Sequence, residues 1–271
     1  MNTKIMCSVG ILTFNSESTL SKCLDSVKDF SEIIICDGGS TDKTLEIAQE
    51  YECKVIFQNN DFKYDNGKIS DFSAVRNQTI KEASNKWFLH LDSDEYLSRL
   101  LIEEIRDVVV QENTKVFMVP RKYVINGLVV DCATSYPSYQ TRLFNLDFIQ
   151  GFSKKVHEKL IVNKDVIYGK LKESIMVPLV IKKTDFIDKH SYYLRIEKAK
   201  MSSLKKKDIL IGFFSCFRNI ASWMFRLLKS RITCRGRQMP FLYDWLNIRY
   251  NLILLGLFVQ AFFKVDSIKR F

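Results

Sequence analysis

The seven cysteines of this 271-residue chain form no CxxC pair and no metal-finger spacing, and their number is odd. A disulfide scaffold is therefore not expected, whereas reduced thiols and a cytosolic setting are. The opening stretch "MNTKIMCSVGILTFN" lacks a long apolar core and a small-residue cleavage site, so no secretory leader is expected. No internal repeat or low-complexity tract is present, which argues against solenoid architectures. What the chain has in quantity is hydrophobic residues, 46%, and aromatics, 13%. That is ample for a packed core and excludes wholesale disorder.

The net charge of +10 is confined to one end. Residues 200–271 carry 14 Lys and Arg against Asp208, Asp244 and Asp266, a net of +11, and everything before them sums to −1. The same tail holds two strongly apolar segments, Ile209 to Leu228 and Tyr250 to Val265, separated by the basic connector "KSRITCRGR". Arg218 and Arg226 interrupt the first and the second is short, so neither reaches the roughly 20 apolar residues of a spanning helix. Both are expected to lie in a membrane interface with Lys and Arg facing anionic headgroups. The alternative is packing on the upstream part of the chain or on a second subunit, which would make a homo-oligomer through the tail. No nucleic-acid partner is expected.

Upstream, strand and helix patterns alternate. Ser8 to Phe14, Glu32 to Cys36, Lys54 to Gln58 and Trp87 to Leu91 read as strands. Between them Glu17 to Lys28, Asp42 to Tyr51 and about Phe72 to Ser84 have helical spacing. This order builds an α/β fold, Rossmann-like, with a mostly parallel sheet and helices on both faces. Farther on, Leu100 to Gln111 reads as a helix, Lys115 to Ile125 and Tyr139 to Phe144 as strands, and "GFSKKVHEKL" as a loop. Polar clusters end three strands: Thr13 to Asn15, Asp37 to Ser40, and the acids Asp92, Asp94 and Glu95. Ligands bind at the carboxyl ends of such strands.

Three acids within four positions repel one another unless something positive stands between them. One structural account is that Asp92 caps a helix beginning near Tyr96, with Glu95 closing a capping box. The chemical account is that Asp92 and Asp94, two positions apart just beyond a strand, share a hard divalent cation, Mg²⁺ or Mn²⁺, with substrate phosphates. Such a cation stabilises a departing diphosphate. Asp37 suits a ribose hydroxyl or base N–H, with Gly38 and Gly39 allowing close backbone approach; "DGGSTD" is equally a turn leading into a helix cap. His90, between Leu89 and Leu91, is taken as structural.

"VGILTFNSESTLSKCLDSV", "IIICDGGSTDKTLEIA", "FSAVRNQTI" and "WFLHLDSDEYL", in this order and spacing, resemble the family 2 glycosyltransferases of GT-A fold. Within that family they are most similar to the bacterial branch of lipopolysaccharide-core and surface-glycan synthesis. The match covers about the first 100 residues. It implies an inverting, metal-dependent transfer of a sugar from a nucleotide-diphosphate donor, a UDP-sugar as first choice, to a glycolipid or lipid-linked saccharide. By position, Thr13, Asn15 and Glu17 would line the nucleotide pocket and Asp37 would hold the nucleoside. Gly39 and Ser93 belong to the same donor set, Arg76 would lie near the diphosphate, and Asp92 to Asp94 would be the DxD metal motif. Many members have a second Asp where this chain has Gly38. "KKVHEKL" is similar to a His-Glu element of the same branch, with Glu158 as general base and His157 as metal ligand or diphosphate contact, roles that sequence leaves exchangeable. Tyr136, Tyr139, Arg142 and His190 are candidates for the acceptor.

The resemblance divides the chain into a GT-A catalytic domain, 1–199, and a basic, amphipathic, membrane-associating helical tail, 200–271. The catalytic domain would comprise a nucleotide-sugar half, 1–100, and an acceptor half, 101–199. The expected place is the cytoplasmic face of the cell membrane, peripherally bound. A nucleotidyltransferase would share the sheet and the paired carboxylates, but "TFNSEST" holds no Gly, Lys or Arg. A haloacid-dehalogenase phosphatase needs an Asp on the first strand, which here ends in Thr13 and Phe14. A degenerate transferase fold acting as a membrane-bound glycan-binding subunit is the non-enzymatic alternative, opposed by the intact acidic pair and Glu158.

Overall fold

The computed structural model describes residues 3–64, 69–111, 113–154, 158–164, 166–201 and 204–268. The chain divides into two compact units, Met1–Tyr123 with Pro137–Pro178 and Val124–Tyr136 with Leu179–Phe271. The elements run β1 (Ile5–Thr13), α1 (Glu17–Asp25), β2 (Phe30–Asp37), α2 (Thr44–Glu50), β3 (Lys54–Phe57), α3 (Phe72–Lys81), β4 (Trp87–Asp92), β5 (Tyr96–Leu97) and α4 (Arg99–Gln111). There follow β6 (Val116–Ile125), β7 (Leu128–Val129), β8 (Ser138–Asn145), β9 (Ile149–Ser153), β10 (Lys159–Val162), β11 (Tyr168–Lys170) and β12 (Ile175–Pro178). Three helices close the chain: α5 (Lys183–Met201), α6 (Lys206–Thr233) and α7 (Phe241–Ile268).

In the first unit the main sheet has the order β3-β2-β1-β4-β8-β6-β12-β5. The parallel order expected of the sheet holds for β3, β2, β1 and β4; beyond β4 it continues antiparallel through β8 and β6. Cys7 to Ile11 are all buried, as a strand paired on both edges and covered on both faces must be. On one face Cys7, Val9 and Ile11 of β1 and Trp87, Leu89 and Leu91 of β4 pack against Leu20 and Leu24 of α1 and Leu101, Ile105 and Val109 of α4. The last three recur every four residues and so form one helical stripe. On the opposite face Phe88, Phe144, Val116 and Leu160 gather under Ile80 of α3. Alternation along β4 therefore sends His90 to the α3 face together with Phe88.

Two local readings of the sequence change. The helix after the acidic cluster begins at Arg99, where the Leu101 amide donates to Ser98 Oγ at 3.2 Å, and Tyr96 and Leu97 are instead strand, paired with β12. Asp92 is therefore not its cap. The "GFSKKVHEKL" segment is a hairpin flank on both sides, β9 pairing antiparallel with β10, with Glu158 immediately before β10.

The second unit joins α5, α6 and α7 to residues 124–136, so it begins some twenty residues before the 200–271 tail and recruits a hairpin from mid-chain. Cys132 and Cys234 form a disulfide across 102 positions, correcting the expectation of wholly reduced thiols. Parity and spacing in the sequence say nothing about a pair so distant, with five other cysteines unpaired. Around it, the Asp131 amide donates to the Arg237 carbonyl at 2.9 Å and the Met239 amide to the Cys132 carbonyl at 2.9 Å. Buried Asp244 accepts from Thr134 Oγ1 at 2.7 Å and Trp223 Nε1 at 3.3 Å. Ile209, Cys216, Ile220 and Phe258 form the core between α6 and α7. The last helix is longer than its apolar run: it starts at Phe241, and Phe241–Phe263 is long and apolar enough, by length and composition, to cross a membrane. That corrects the expectation that the second segment is too short.

A Cβ on Gly10 of β1 would stand 2.3 Å from Phe88 Cζ, in the layer under α3, and 2.9 Å from Thr79 Cγ2 of α3 itself. Gly10→Ala is expected to destabilise the fold by about 1–3 kcal/mol through overpacking, read as a lower urea midpoint at unchanged slope.

Candidate functional site

The ends of β1, β2 and β4 carry the three polar clusters, and the structure stitches them together. Thr13 Oγ1 donates to Asp37 Oδ2 at 2.8 Å. Asn15, held at φ 49°, donates its amide to Ser40 Oγ and accepts from the Thr41 amide, both at 2.8 Å. Glu17 accepts from the Lys43 amide at 3.1 Å, at the start of α2. Ser16 Oγ and Ser93 Oγ lie 3.1 Å apart, tying this loop to the turn after β4.

Asp37 is wholly buried, and both of its oxygens are engaged by the protein. Oδ1 accepts from the Gly39 and Ser40 amides at 2.8 Å each, and Oδ2 accepts from Ser40 Oγ at 2.6 Å in addition to Thr13. Its first task is to shape the loop, and any nucleoside contact must draw on an oxygen already bonded. A Cβ on Gly38 would lie 3.1 Å from Phe14 Cδ2 and 3.2 Å from Gln58 Oε1, so the second Asp of many family members has little room here.

Arg76, Asp92 and Glu158 come together elsewhere, in a cavity of about 500 Å³ beyond β4. His90, Arg121, Arg142, Phe152 and Lys159 also line it. Arg142 Nη2 donates to Asp92 Oδ2 at 2.8 Å and lies 3.0 Å from Glu95 Oε2. Arg121 Nη1 is 3.5 Å from Glu95 Oε1. Arg76 Nε donates to Glu158 Oε1 at 2.9 Å, and its Nη2 is 4.0 Å from Asp92 Oδ1. The result is a chain of alternating charge, Glu95, Arg142, Asp92, Arg76, Glu158. Asn77 fixes one wall by accepting from the Phe152 amide at 2.7 Å and donating to its carbonyl at 2.9 Å, which locks β9 to α3.

These neighbours set the protonation states. Burial works against the charge of Asp92, yet Arg142, helped by Arg76, holds it well below the usual carboxylate range. Glu95 moves the other way, because its burial outweighs what Arg142 returns. Asp94, exposed on the outer turn, is pushed up by partial enclosure and by the charge of Asp92. His90 is driven well below its ordinary value by burial and then by Arg76 and Arg142, so it is neutral.

His90, expected to be structural, is buried with Nε2 3.3 Å from Asp92 Oδ1 and lines the cavity wall. The signal was available, since residues 90 and 92 share a strand face. Arg121 and Lys159 had no such signal, and Arg142, expected as an acceptor contact, stands in the cavity wall bonded to Asp92 and Glu95. His157 lies outside the described residues. Tyr136 and His190 belong to the second unit, and Tyr139 is not in the cavity wall.

Among the described residues, no three of His, Cys, Asp and Glu cluster as a ready-made metal cage. The donor set fits a cation that takes most of its ligands from substrate. Asp92 and Asp94 are the hard-oxygen carboxylates that would hold it, and its charge would relieve the repulsion from Asp92 that adds to burial in raising Asp94.

The sequence profile described as Glycosyl transferase family 2 matches residues 8–153. The chain belongs to glycosyl transferase family 2. That span contains the clusters at the ends of β1, β2 and β4 as well as Arg76 and Arg142. Over 160 residues the chain is 33% identical to the SPbeta prophage-derived glycosyltransferase SunS of Bacillus subtilis (strain 168), covering 55% of this chain and 33% of SunS. It is 30% identical over 172 residues to a glycosyltransferase of Rickettsia bellii (strain RML369-C), covering 60% of this chain and 54% of that one. The chain thus spans between a third and about half the length of these curated relatives. Among solved structures, that of S. aureus TarS 1-349 in complex with UDP-GlcNAc aligns with 94% of this chain and 81% of its own at 18% identity and a TM-score of 0.46.

The elevated Asp94 pKa has a definite sign. A carboxylate whose folded pKa exceeds its unfolded value costs stability as pH rises through the two values, and nothing below both. Asp94→Asn, in EDTA at pH 7, is expected to melt at the same temperature as the parent or higher, with the difference gone below about pH 4. A clear loss of thermal stability at pH 7 would contradict the electrostatics described.

Proposed function

We propose that this family 2 member transfers a sugar, with inversion, from a nucleotide-diphosphate donor to a saccharide or glycolipid acceptor of the bacterial cell surface. The donor proposed first is a UDP-sugar, and lipopolysaccharide or a similar envelope glycan is the acceptor class. The observation that carries this is the cationic cavity at the end of β4, into which Asp92, Arg76 and Glu158 all open.

In this scheme Asp92 and Asp94 hold Mg²⁺ or Mn²⁺, which neutralises the departing diphosphate. Thr13, Asn15, Glu17, Asp37, Gly39 and Ser93 keep the donor loop in one shape, and Arg76 meets the phosphates. Glu158 takes the proton from the acceptor hydroxyl as it attacks the anomeric carbon. Its bond to Arg76 keeps the carboxylate oriented in the cavity before the acceptor arrives. His157, next to it in sequence, serves as metal ligand or diphosphate contact.

The second unit is proposed to rest on the cytoplasmic face of the membrane. Supporting this, α6 exposes Ile211, Phe214, Phe217, Phe225 and Leu228, while Lys207, Arg218, Arg226 and Lys229 lie on the same helix. Apolar burial plus attraction to anionic headgroups is how such helices bind.

Asp94→Ala is expected to abolish metal-dependent turnover of a sugar nucleotide while the fold persists. Glu158→Gln should lower kcat about 10²- to 10⁴-fold with donor binding retained. A panel of nucleotide sugars screened for hydrolysis with Mn²⁺ reads both, and full activity in either variant would refute the role given. For the membrane, the full chain should co-sediment with vesicles containing phosphatidylglycerol and be released in part by high salt. Equal binding to neutral vesicles at every salt concentration would remove the electrostatic part.

A further inference from the structure

The guanidinium of Arg142 is oddly employed. It is only 3% exposed, and both of its carboxylate partners, Asp92 and Glu95, are reached through the single atom Nη2. Nε and Nη1 have no hydrogen-bond partner among the described residues. A guanidinium carries five N–H donors in a rigid fork suited to two-point contact with carboxylate or phosphate. Here three of the five donors are idle on a residue that lines the cavity. Burying a charge and leaving its donors unmet is costly for stability alone, and a well-packed apolar residue would serve a core better.

We propose that Arg142 is a positioning residue that keeps Asp92 neutralised in the empty site and exchanges this carboxylate for the donor diphosphate when the donor–cation complex enters. The proposal rests on the assignment of Asp92 and Asp94 to the cation. Before the donor arrives, Asp92 satisfies Nη2, and the carboxylate is masked from a bare cation by a contact at 2.8 Å. As the donor binds, the guanidinium swings off Asp92 to aim its idle donors at phosphate oxygens, and Asp92 is released to the cation. Glu95, 2% exposed and 3.0 Å from Nη2, is the fixed anchor that holds the guanidinium at the cavity wall throughout. Arg76 is placed to respond in the same event, since it joins Asp92 on one side and Glu158 on the other. The site therefore favours the cation–diphosphate complex over a cation alone.

Counter-ion exchange separates two affinities that a purely structural arginine would move together. Mn²⁺ alone is titrated by electron paramagnetic resonance, and inorganic pyrophosphate in the presence of Mn²⁺ by calorimetry, so the outcome does not depend on the nucleobase. The variant Arg142→Gln with Glu95→Gln removes the buried pair as a neutral isosteric set, and a thermal melt checks folding. Its affinity for Mn²⁺ alone should rise at least about threefold, because Asp92 loses its competitor, and its affinity for pyrophosphate should fall at least about tenfold. Arg142→Lys, which keeps the charge and loses the fork, should leave Mn²⁺ binding near the parent value and still weaken pyrophosphate. A parallel fall in both affinities, or tighter Mn²⁺ with unchanged pyrophosphate, overturns the exchange. If Asp92→Asn leaves Mn²⁺ binding intact, the metal assignment fails, and the exchange with it, by a signature that the Arg142 variants do not produce.

Discussion

Mutual repulsion among Asp92, Asp94 and Glu95 is the constraint around which the site is arranged. Three carboxylates within four positions cannot all ionise beside a buried strand without cations in reach. The protein supplies Arg142 to two of them and leaves the third, Asp94, raised and exposed. Arg142 comes from β8 and Arg121 from β6, the antiparallel strands beyond β4. The cavity is cationic because the sheet reverses its direction there, bringing the polar faces of two later strands alongside the end of an earlier one.

The two halves of the first unit thus contribute differently. The parallel strands β3, β2, β1 and β4 present a rim of loops whose hydrogen bonds are mostly internal, with Asp37 committed to Thr13, Gly39 and Ser40. This rim is preorganised, which suits the donor surface proposed for it. The antiparallel strands with the β9–β10 hairpin supply the charged cavity wall, including Glu158. The family profile covers residues 8–153, which takes in the parallel half and the antiparallel strands through β9, and stops just short of Glu158.

The second unit depends on a different balance. A disulfide between Cys132 and Cys234 and the buried Asp244 with Thr134 and Trp223 tie residues 124–136 to the α6–α7 connection. The helices α6 and α7 share a small core, and much of their remaining apolar surface faces outward. Large exposed apolar surface on helices rich in Lys and Arg is unusual for a part that meets only water.

What the sequence determined alone was whatever is local or periodic. Alternating strands and helices gave the parallel half, because side-chain direction repeats every two or 3.6 residues. The polar clusters at three strand ends could be placed on one rim, since parallel strands carry their carboxyl ends to the same edge. Charge asymmetry marked the tail before any helix was seen. Tertiary structure alone decided which distant groups meet: Arg142 on Asp92 across 50 positions, Arg76 on Glu158 across 82, and Cys132 on Cys234 across 102. It also decided that Asp37 faces inward and that Asp92 caps no helix. Pairing between strands far apart in the chain follows from packing of the whole sheet, and no window of residues around either partner contains it.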